Sequence, residues 1–297
     1  MSKDQIRRLI AARTDTDGLT KSGIDGAHLF RATQAIPCVP AVYEPCVVAI
    51  VSGAKEAVLD GQRYVYDDSQ YLCCPMSMPV KAGTPSASRN NPLYGVMISL
   101  DRRVMTELAL EMENAGGILP TVRGELREPG IRLATWDDGF TEALLRLLQL
   151  GDSPTDMAVL GESRLREVYY AMLKGEAGNF VRRAFGAGNA IARSIAHVSS
   201  NLHEPISIDD MAGRAGMSRA VFHRKFKEVT TMAPMQFVKS MRLNNAAMKI
   251  AGGVAVTEAA MDVGYVSASQ FSREFKRMYG RSPKQWGEIQ QLSSGVA

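Results

Sequence analysis

The stretch Met217-Ser-Arg-Ala-Val-Phe-His-Arg-Lys-Phe-Lys-Glu228 lies over Val266-Ser-Ala-Ser-Gln-Phe-Ser-Arg-Glu-Phe-Lys-Arg277 at an offset of 49 residues. Ser218 meets Ser267, Phe222 meets Phe271, Arg224 meets Arg273, Phe226 meets Phe275 and Lys227 meets Lys276. Downstream, Pro234 meets Pro283, Gln236 meets Gln285, and Phe237 meets Trp286. Upstream the offset drops by one, so that Ala212 meets Ala260 and Gly216 meets Gly264. A surface turn accommodates such a one-residue change.

Each copy carries the signals of a short helix, a glycine turn and a second helix. In the first copy (207–228), Ser207 caps a helix expected over 208–215, and Ser207-x-x-Asp210 approximates a capping box. Gly216 ends that helix by tolerating positive φ, and Ser218 caps the next, expected over 219–228. The second copy (256–278) repeats the plan with a helix over 256–263, Gly264, Ser267 and a helix over 268–278. Between them, 235–250 reads as one continuous helix, roughly 24 Å long at about 1.5 Å per residue. Two helix-turn-helix readers on such a spacer suit consecutive grooves of a duplex, about 34 Å apart.

Phe222, Phe226, Phe271 and Phe275 recur at i, i+4 and, with Trp286, are assigned to the core rather than to base stacking. The opposite face of the first reading helix offers Arg219, Ala220, His223 and Arg224. Arginine presents paired donors to guanine, histidine donates or accepts at a base edge, and alanine offers only a methyl contact to thymine. The plainer alternative for Arg224 is a phosphate grip or an acidic neighbour. Ser269, Ser272 and Arg273 are the counterparts in the second helix. That face is leaner in long side chains, so the first reader is expected to discriminate sequence more. Ser218, Ser267, Lys227 and Lys276 complete the expected DNA-facing set; Lys227 and Lys276, like Lys225 and Arg277, read as phosphate contacts or as plain solvated charge.

Charge follows the same division. Residues 189–297 hold 14 Lys/Arg against 8 Asp/Glu, a net of +6, and residues 1–188 sum to −2. The chain of 297 residues allows for about two domains. From 36 to about 100, short β-branched runs such as 47–51 alternate with Gly, Pro and Ser clusters, and 55–59 with 62–66 forms a hairpin around Asp60-Gly61. Strands are also expected over 70–74, 80–82 and 94–100. Helices follow over 102–114, capped by Asp101 and stopped by Gly116-Gly117, then over 137–150 and 157–173. Glycine-rich residues 176–188 read as an interdomain linker. A helix over 189–201 precedes the first reader.

No secretory or membrane-spanning segment is expected, since residues 9–12 are too few for a signal core. The expected compartment is the cytoplasm, with Cys38, Cys46, Cys73 and Cys74 reduced. A structural zinc site wants paired cysteines two to four residues apart. Here one pair is separated by eight residues and the other is adjacent, so these cysteines read as small buried hydrophobes. His28 is the only histidine before residue 189, too few for a metal-dependent enzyme. No metal, cofactor or catalysis is expected; the alternative is a cysteine-based metal, redox or methyl-accepting sensor on the same reader.

From 202 to 286 the chain resembles the DNA-binding domain of the AraC/XylS family of bacterial regulators. The likeness rests on Ala212-x3-Gly216-Met-Ser218, Arg242-Leu243-x2-Ala246, Val263-Gly264-Tyr265-x-Ser267-x3-Phe271-Ser-Arg-x-Phe275-Lys and Gly280-Arg-Ser-Pro283. Thr231 departs from the pattern, standing where the family has glycine, and a slightly strained turn is expected there. The family pattern puts Ala220, His223 and Arg224 at base-contacting positions. Residues 1 to about 175 are similar to the effector domain of one subgroup through Tyr43-Glu44-Pro45, Tyr64-Val-Tyr66-Asp and the segment from Leu72. The resemblance implies an α+β multidomain protein. Its parts are a cupin-like β-barrel with trailing dimerisation helices (1–175) and an all-α tandem helix-turn-helix domain (189–297). It also implies a small-molecule effector, promoter DNA, RNA polymerase and a second copy of the chain as partners. Tyr43, Tyr64, Tyr66 and Arg89 could line a barrel or lie outside it, and no effector-binding residue is assigned.

Overall fold

A computed structural model describes residues 2–115, 130–185 and 189–294, the last four by backbone alone. The chain divides into two compact units. The first comprises Met1–Cys38, Glu44–Met76 and Ala82–Asn189, and the second comprises Val39–Tyr43, Ser77–Lys81 and Ala190–Ala297.

The first half of the chain opens with helix α1 (Ser2–Arg13), which buries Ile6 and Ile10 one turn apart. The strands follow: β1 (Gly18–Lys21), β2 (Ala27–Ala32), β3 (Ile36–Tyr43), β4 (Cys46–Ser52), β5 (Lys55–Leu59), β6 (Gln62–Tyr66), β7 (Gln70–Cys74), β8 (Met78–Thr84) and β9 (Leu93–Ser99). Helix α2 (Arg102–Asn114) comes next, and β10 (Arg132–Thr135) closes the strand series. They form two sheets, β1-β2-β9-β4-β7-β10 and β3-β8-β5-β6, so the expected barrel is built of two sheets rather than one hydrogen-bonded cylinder. The β5–β6 hairpin has the expected bounds, and Asp60 (φ 47°) and Gly61 (φ 82°) supply its two left-handed turn residues.

Strand β4 lies between β9 and β7 and is buried from Cys46 to Val51. One face of this sheet carries helices. Tyr71 stacks on Phe140 with ring centroids 4.3 Å apart, and Cys73 Sγ lies 3.8 Å from Met172 Sδ. Strand alternation turns Cys46, Val48, Ile50 and Cys74 to the other face, and pairing sets Cys46 opposite Cys74. All four cysteines are free, and Cys46, Cys73 and Cys74 are buried. Burial pushes the Cys46 thiol up to about 12 and raises Cys73 and Cys74 as well, which makes them poor nucleophiles. Among the described residues no group of three His, Cys, Asp or Glu side chains is placed to hold a metal ion.

Asp101 accepts from Val104 N and starts α2 as expected, whereas Gly116-Gly117 lies outside the described residues. Helices α3 (Asp138–Gln149) and α4 (Pro154–Lys174) match the predicted positions. The expected linker is different: residues 178–185 form α5 (Gly178–Phe185), which buries Phe180, Val181, Ala184 and Phe185. Gly178 at its start and Gly175 just before it serve close packing. A Cβ on Gly178 would lie 2.0 Å from Leu173 O, and one on Gly175 would lie 2.7 Å from Asp137 Oδ2.

The second unit holds α6 (Ala190–Ser200), α7 (Ile208–Arg214), α8 (Arg219–Thr230), α9 (Pro234–Ala251), α10 (Val256–Asp262), α11 (Ala268–Tyr279) and α12 (Pro283–Ser294). Phe222, Phe226 and Phe237 are fully buried and pack ring on ring, with centroids 5.4 and 5.3 Å apart along the series. A second cluster joins Leu243, Ala247, Ala260, Val263, Phe271 and Phe275, with Trp286 against it. Phenylalanines spaced one turn apart thus give each short helix pair a core of its own.

Candidate nucleic-acid interface

In the first reader Ser207 Oγ accepts from Asp210 N and so caps α7, while the Asp210 carboxylate accepts from the Ser207 hydroxyl and not from the Ser207 amide of a full capping box. Gly216 turns the chain at φ 64°, and Ser218 Oγ accepts from Val221 N at 3.5 Å to start α8. With Phe222 and Phe226 inward, helix periodicity turns Arg219, Ala220, His223, Arg224 and Lys227 outward, and all five are exposed, as is Ser218. Arg219 lies 3.6 Å from Asp209, and Arg224 lies 3.9 Å from Glu228, its side chain 70% exposed. Exposed pairs of this kind contribute about 0–1 kcal/mol, so both guanidiniums exchange partners at little cost.

The second reader repeats the outline. Gly264 turns at φ 84°, and Ser267 Oγ accepts from Gln270 N and lies 3.0 Å from Ser269 Oγ. Ser267, Ser269, Arg273 and Lys276 are exposed and Ser272 is half-buried, while Phe271 and Phe275 are fully buried. The expected residues of each reader therefore gather on the polar side of α8 or α11.

Two side-chain ties support the readers from beside their exposed faces. Tyr265 Oη donates to Glu274 Oε2 at 2.9 Å, and Lys239 Nζ stands 3.2 Å from the same oxygen. Burial pushes the Glu274 carboxyl up, but these bonds together with Gln270 outweigh it and hold it below the usual glutamate range. This ties α11 to α9 on the side away from its exposed face. Arg242 appeared in the sequence only as a motif residue. Its Nε donates to Leu202 O at 3.0 Å and its Nη2 to Glu204 O at 2.7 Å, pinning the turn after α6. An alternating pattern of exposed and buried positions on α11 does not disclose such ties, because their partners lie 9 to 40 residues away.

The profile of the AraC-type transcriptional regulator N-terminus matches residues 23–180, and that of a helix-turn-helix domain matches residues 211–288. The chain belongs to the AraC-type transcriptional regulators. As an AraC-type protein it is a DNA-binding transcriptional regulator. It is 32% identical over 93 residues to the regulatory protein SoxS of Escherichia coli K12, covering 31% of this chain and 87% of that protein. It is 38% identical over 81 residues to the regulator MtrA of Neisseria gonorrhoeae, 27% of each chain. Among solved structures, ToxT of Vibrio cholerae O395 superposes with a TM-score of 0.57 at 13% identity over 89% of this chain and 98% of that one, a likeness of fold. No helix among the described residues is long and apolar enough to cross a membrane.

Proposed function

We propose that this AraC-type regulator reads duplex DNA with the exposed faces of α8 and α11 and that a small molecule bound by its N-terminal region sets how those faces engage a promoter. The observation that carries the reading is the paired display itself: Arg224 and Arg273 occupy the same position of two repeated helices, each opposite a buried phenylalanine pair. His223, Arg224 and Ala220 are assigned to base edges in the first groove, with Ser269, Ser272 and Arg273 as their counterparts. Arg219, Lys227 and Lys276 fall to the backbone, with Ser218 and Ser267 at the helix starts.

Residues 1–185 are assigned to effector binding and self-association and 189–297 to reading. Val159 and Tyr170, three turns apart on α4, are 71% and 44% exposed, and Leu110 on α2 is 46% exposed. These exposed apolar side chains are assigned to the contact of a homodimer. Support for a small-molecule effector comes from the fold: ToxT has been solved bound to (E)-4-(8-methylnaphthalen-1-yl)but-3-enoic acid and with an unsaturated fatty acid. RNA polymerase is the partner that a promoter-bound regulator meets, and the compartment assigned is the cytoplasm. Effector control requires the ligand to favour one of two arrangements.

The test is duplex selection with the full chain, followed by affinity measurement over a salt series. Binding should weaken steeply with salt. At fixed salt Arg224→Ala should lose about 1–3 kcal/mol and relax preference at one base position. Wild-type affinity in Arg224→Ala would remove that residue from the interface.

A further inference from the structure

The β5–β6 hairpin sets Lys55 opposite Tyr66, Ala57 opposite Tyr64 and Leu59 opposite Gln62. Opposed residues of an antiparallel pair share a face. Ala57, Leu59 and Tyr66 are at most 1% exposed, while Glu56, Val58, Arg63 and Val65 alternate to the more exposed side. Lys55 therefore stands on the buried face of its sheet. Its ammonium lies 5.5 Å from the centroid of Phe30, a residue of β2 in the other sheet, so the side chain reaches into the space between the two.

Lys55 is half-buried, and among the described residues no carboxylate stands against its ammonium. Among the described residues the Lys55 ammonium makes no hydrogen bond and no ion pair. The carboxylate next to it in sequence, Glu56, is committed to Arg63 at 2.7 Å. Burial pushes the Lys55 ammonium below the usual lysine range, and the other groups acting on it are the thiols of Cys38 and Cys46. A cation over an aromatic face recovers only part of the hydration it has lost. Two polar atoms on this space are buried without a hydrogen-bond partner. Tyr64 Oη belongs to the Lys55 face, and His28 Nδ1 belongs to the Phe30 face, two residues along β2. The walls between them are apolar. Gly95 pairs with both Phe30 and Ile50, which places Phe30, Ile50 and Val48 on one face.

We propose that the space between the two sheets receives an amphiphilic monocarboxylate, its oxygens taken by the Lys55 ammonium and the Tyr64 hydroxyl and its apolar body lying against Phe30, Val48 and Ile50. One cation and one hydroxyl match the two oxygens of a single carboxylate, whereas a phosphate dianion would call for further cations. The inference rests on the effector reading above and names the class of molecule and the group that recognises it.

The test uses the full chain with octanoate and its neutral analogue octan-1-ol as probes, by calorimetric titration. Octanoate should bind about tenfold tighter than octanol. Lys55→Met should weaken octanoate about tenfold and leave octanol unchanged, and it should raise the melting temperature of the unliganded chain by removing an uncompensated charge. Lys55→Gln, which keeps a polar head, should lose the same discrimination, and Tyr64→Phe should lose part of it. Equal affinities for octanoate and octanol in the wild type, unchanged octanoate binding in both Lys55 variants, or no octanoate binding would each overturn the assignment. If a neutral metabolite nonetheless shifts duplex affinity, the effector reading stands while the carboxylate class falls. If no small molecule shifts it, both fall.

Discussion

The two readers share a plan and are held together differently. The first relies on local chemistry: the Ser207 cap bonded to Asp210, a Ser218 cap and a turn glycine, Gly216, with nothing within 4 Å of the place its Cβ would occupy. In the second, α10 starts at Ala255 with no side-chain cap. It is held by distant groups instead. Gly264 is pressed against the Leu202 and His203 carbonyls, Tyr265 and Lys239 grip Glu274, and Trp286 Nε1 donates to Ala247 O at 3.0 Å. One motif can therefore be stabilised from within or from its surroundings. The two routes predict unequal responses to the same substitution.

The largest expected difference is at the turn glycines. At Gly216 an added Cβ meets only the conformational cost of a left-handed residue, about 1–2 kcal/mol. At Gly264 the same atom would come within 2.6 Å of Leu202 O and 3.0 Å of His203 O. Backbone cannot swing aside as a side chain can, so overpacking adds roughly another 1–3 kcal/mol. Urea unfolding of the full chain should place Gly264→Ala well below Gly216→Ala in stability. Equal losses would mean that the second turn relaxes and that the contrast between the readers is false.

Next in size is the effect on DNA. Arg224→Ala and Arg273→Ala should each weaken duplex binding within the range of about 1–3 kcal/mol. The first reader carries His223 and Ala220 beside its arginine, whereas the second has Ser269 and Ser272. Arg224→Ala should therefore broaden the selected base preference more than Arg273→Ala does. Selection profiles of the two variants compared at one salt concentration decide this, and a broader profile for Arg273→Ala would reverse the ranking of the readers.

How far the residues disclosed this structure depends on where the stabilising contacts lie. Helices α7 to α11 fall within two residues of the expected bounds, since caps, turn glycines and phenylalanine pairs are short-range signals. The β5–β6 hairpin was legible for the same reason. Helix α1 escaped because it buries only Ile6 and Ile10, too few positions to mark a helical period. Strand β10 escaped because four residues pair with β7 some 60 positions earlier in the chain. Helix α5 was hidden by glycines that reflect close approach, a property of packing. The DNA-facing set could be proposed from one helical face at a time. Of the four barrel candidates, Tyr43, Tyr64 and Tyr66 are buried and Arg89 is exposed. Lys55 gives no signal in the sequence, because a lysine on a short strand reads as surface until register shows which face it shares.

A smaller effect is expected at the ends of the reading helices. Thr231 and Gly280 are equivalent by the repeat, and both end their helix in the left-handed region, at φ 67° and φ 75°. The strain foreseen at Thr231 is present as a positive φ on a β-branched residue, a conformation glycine adopts freely. Thr231→Gly should raise stability by about 1 kcal/mol, less than the full left-handed cost because glycine also loosens the unfolded chain. Gly280→Thr should lower it by a similar or larger amount. Thermal melts of both variants test the pair, and a loss of stability in Thr231→Gly would show that the Thr231 hydroxyl, bonded to Thr230 O at 2.6 Å, outweighs the backbone term.

The smallest expected effect bears most directly on the contrast between local and distant support. Ala255 occupies the cap position of α10 with extended geometry (φ −60°, ψ 142°), and its counterpart Ser207 caps α7. Glu258 already stands three residues on, where Asp210 stands in the first reader. Ala255→Ser would therefore supply a cap like that of Ser207, with Oγ placed to accept from the Glu258 amide. The site is exposed, so no packing opposes the change, and a gain of about 0.5–1 kcal/mol is expected. The converse, Ser207→Ala, should remove a similar amount from the first reader. If the second reader gains nothing while the first loses its share, then the contacts around Gly264 and Glu274 fix the start of α10 so firmly that local capping adds nothing there.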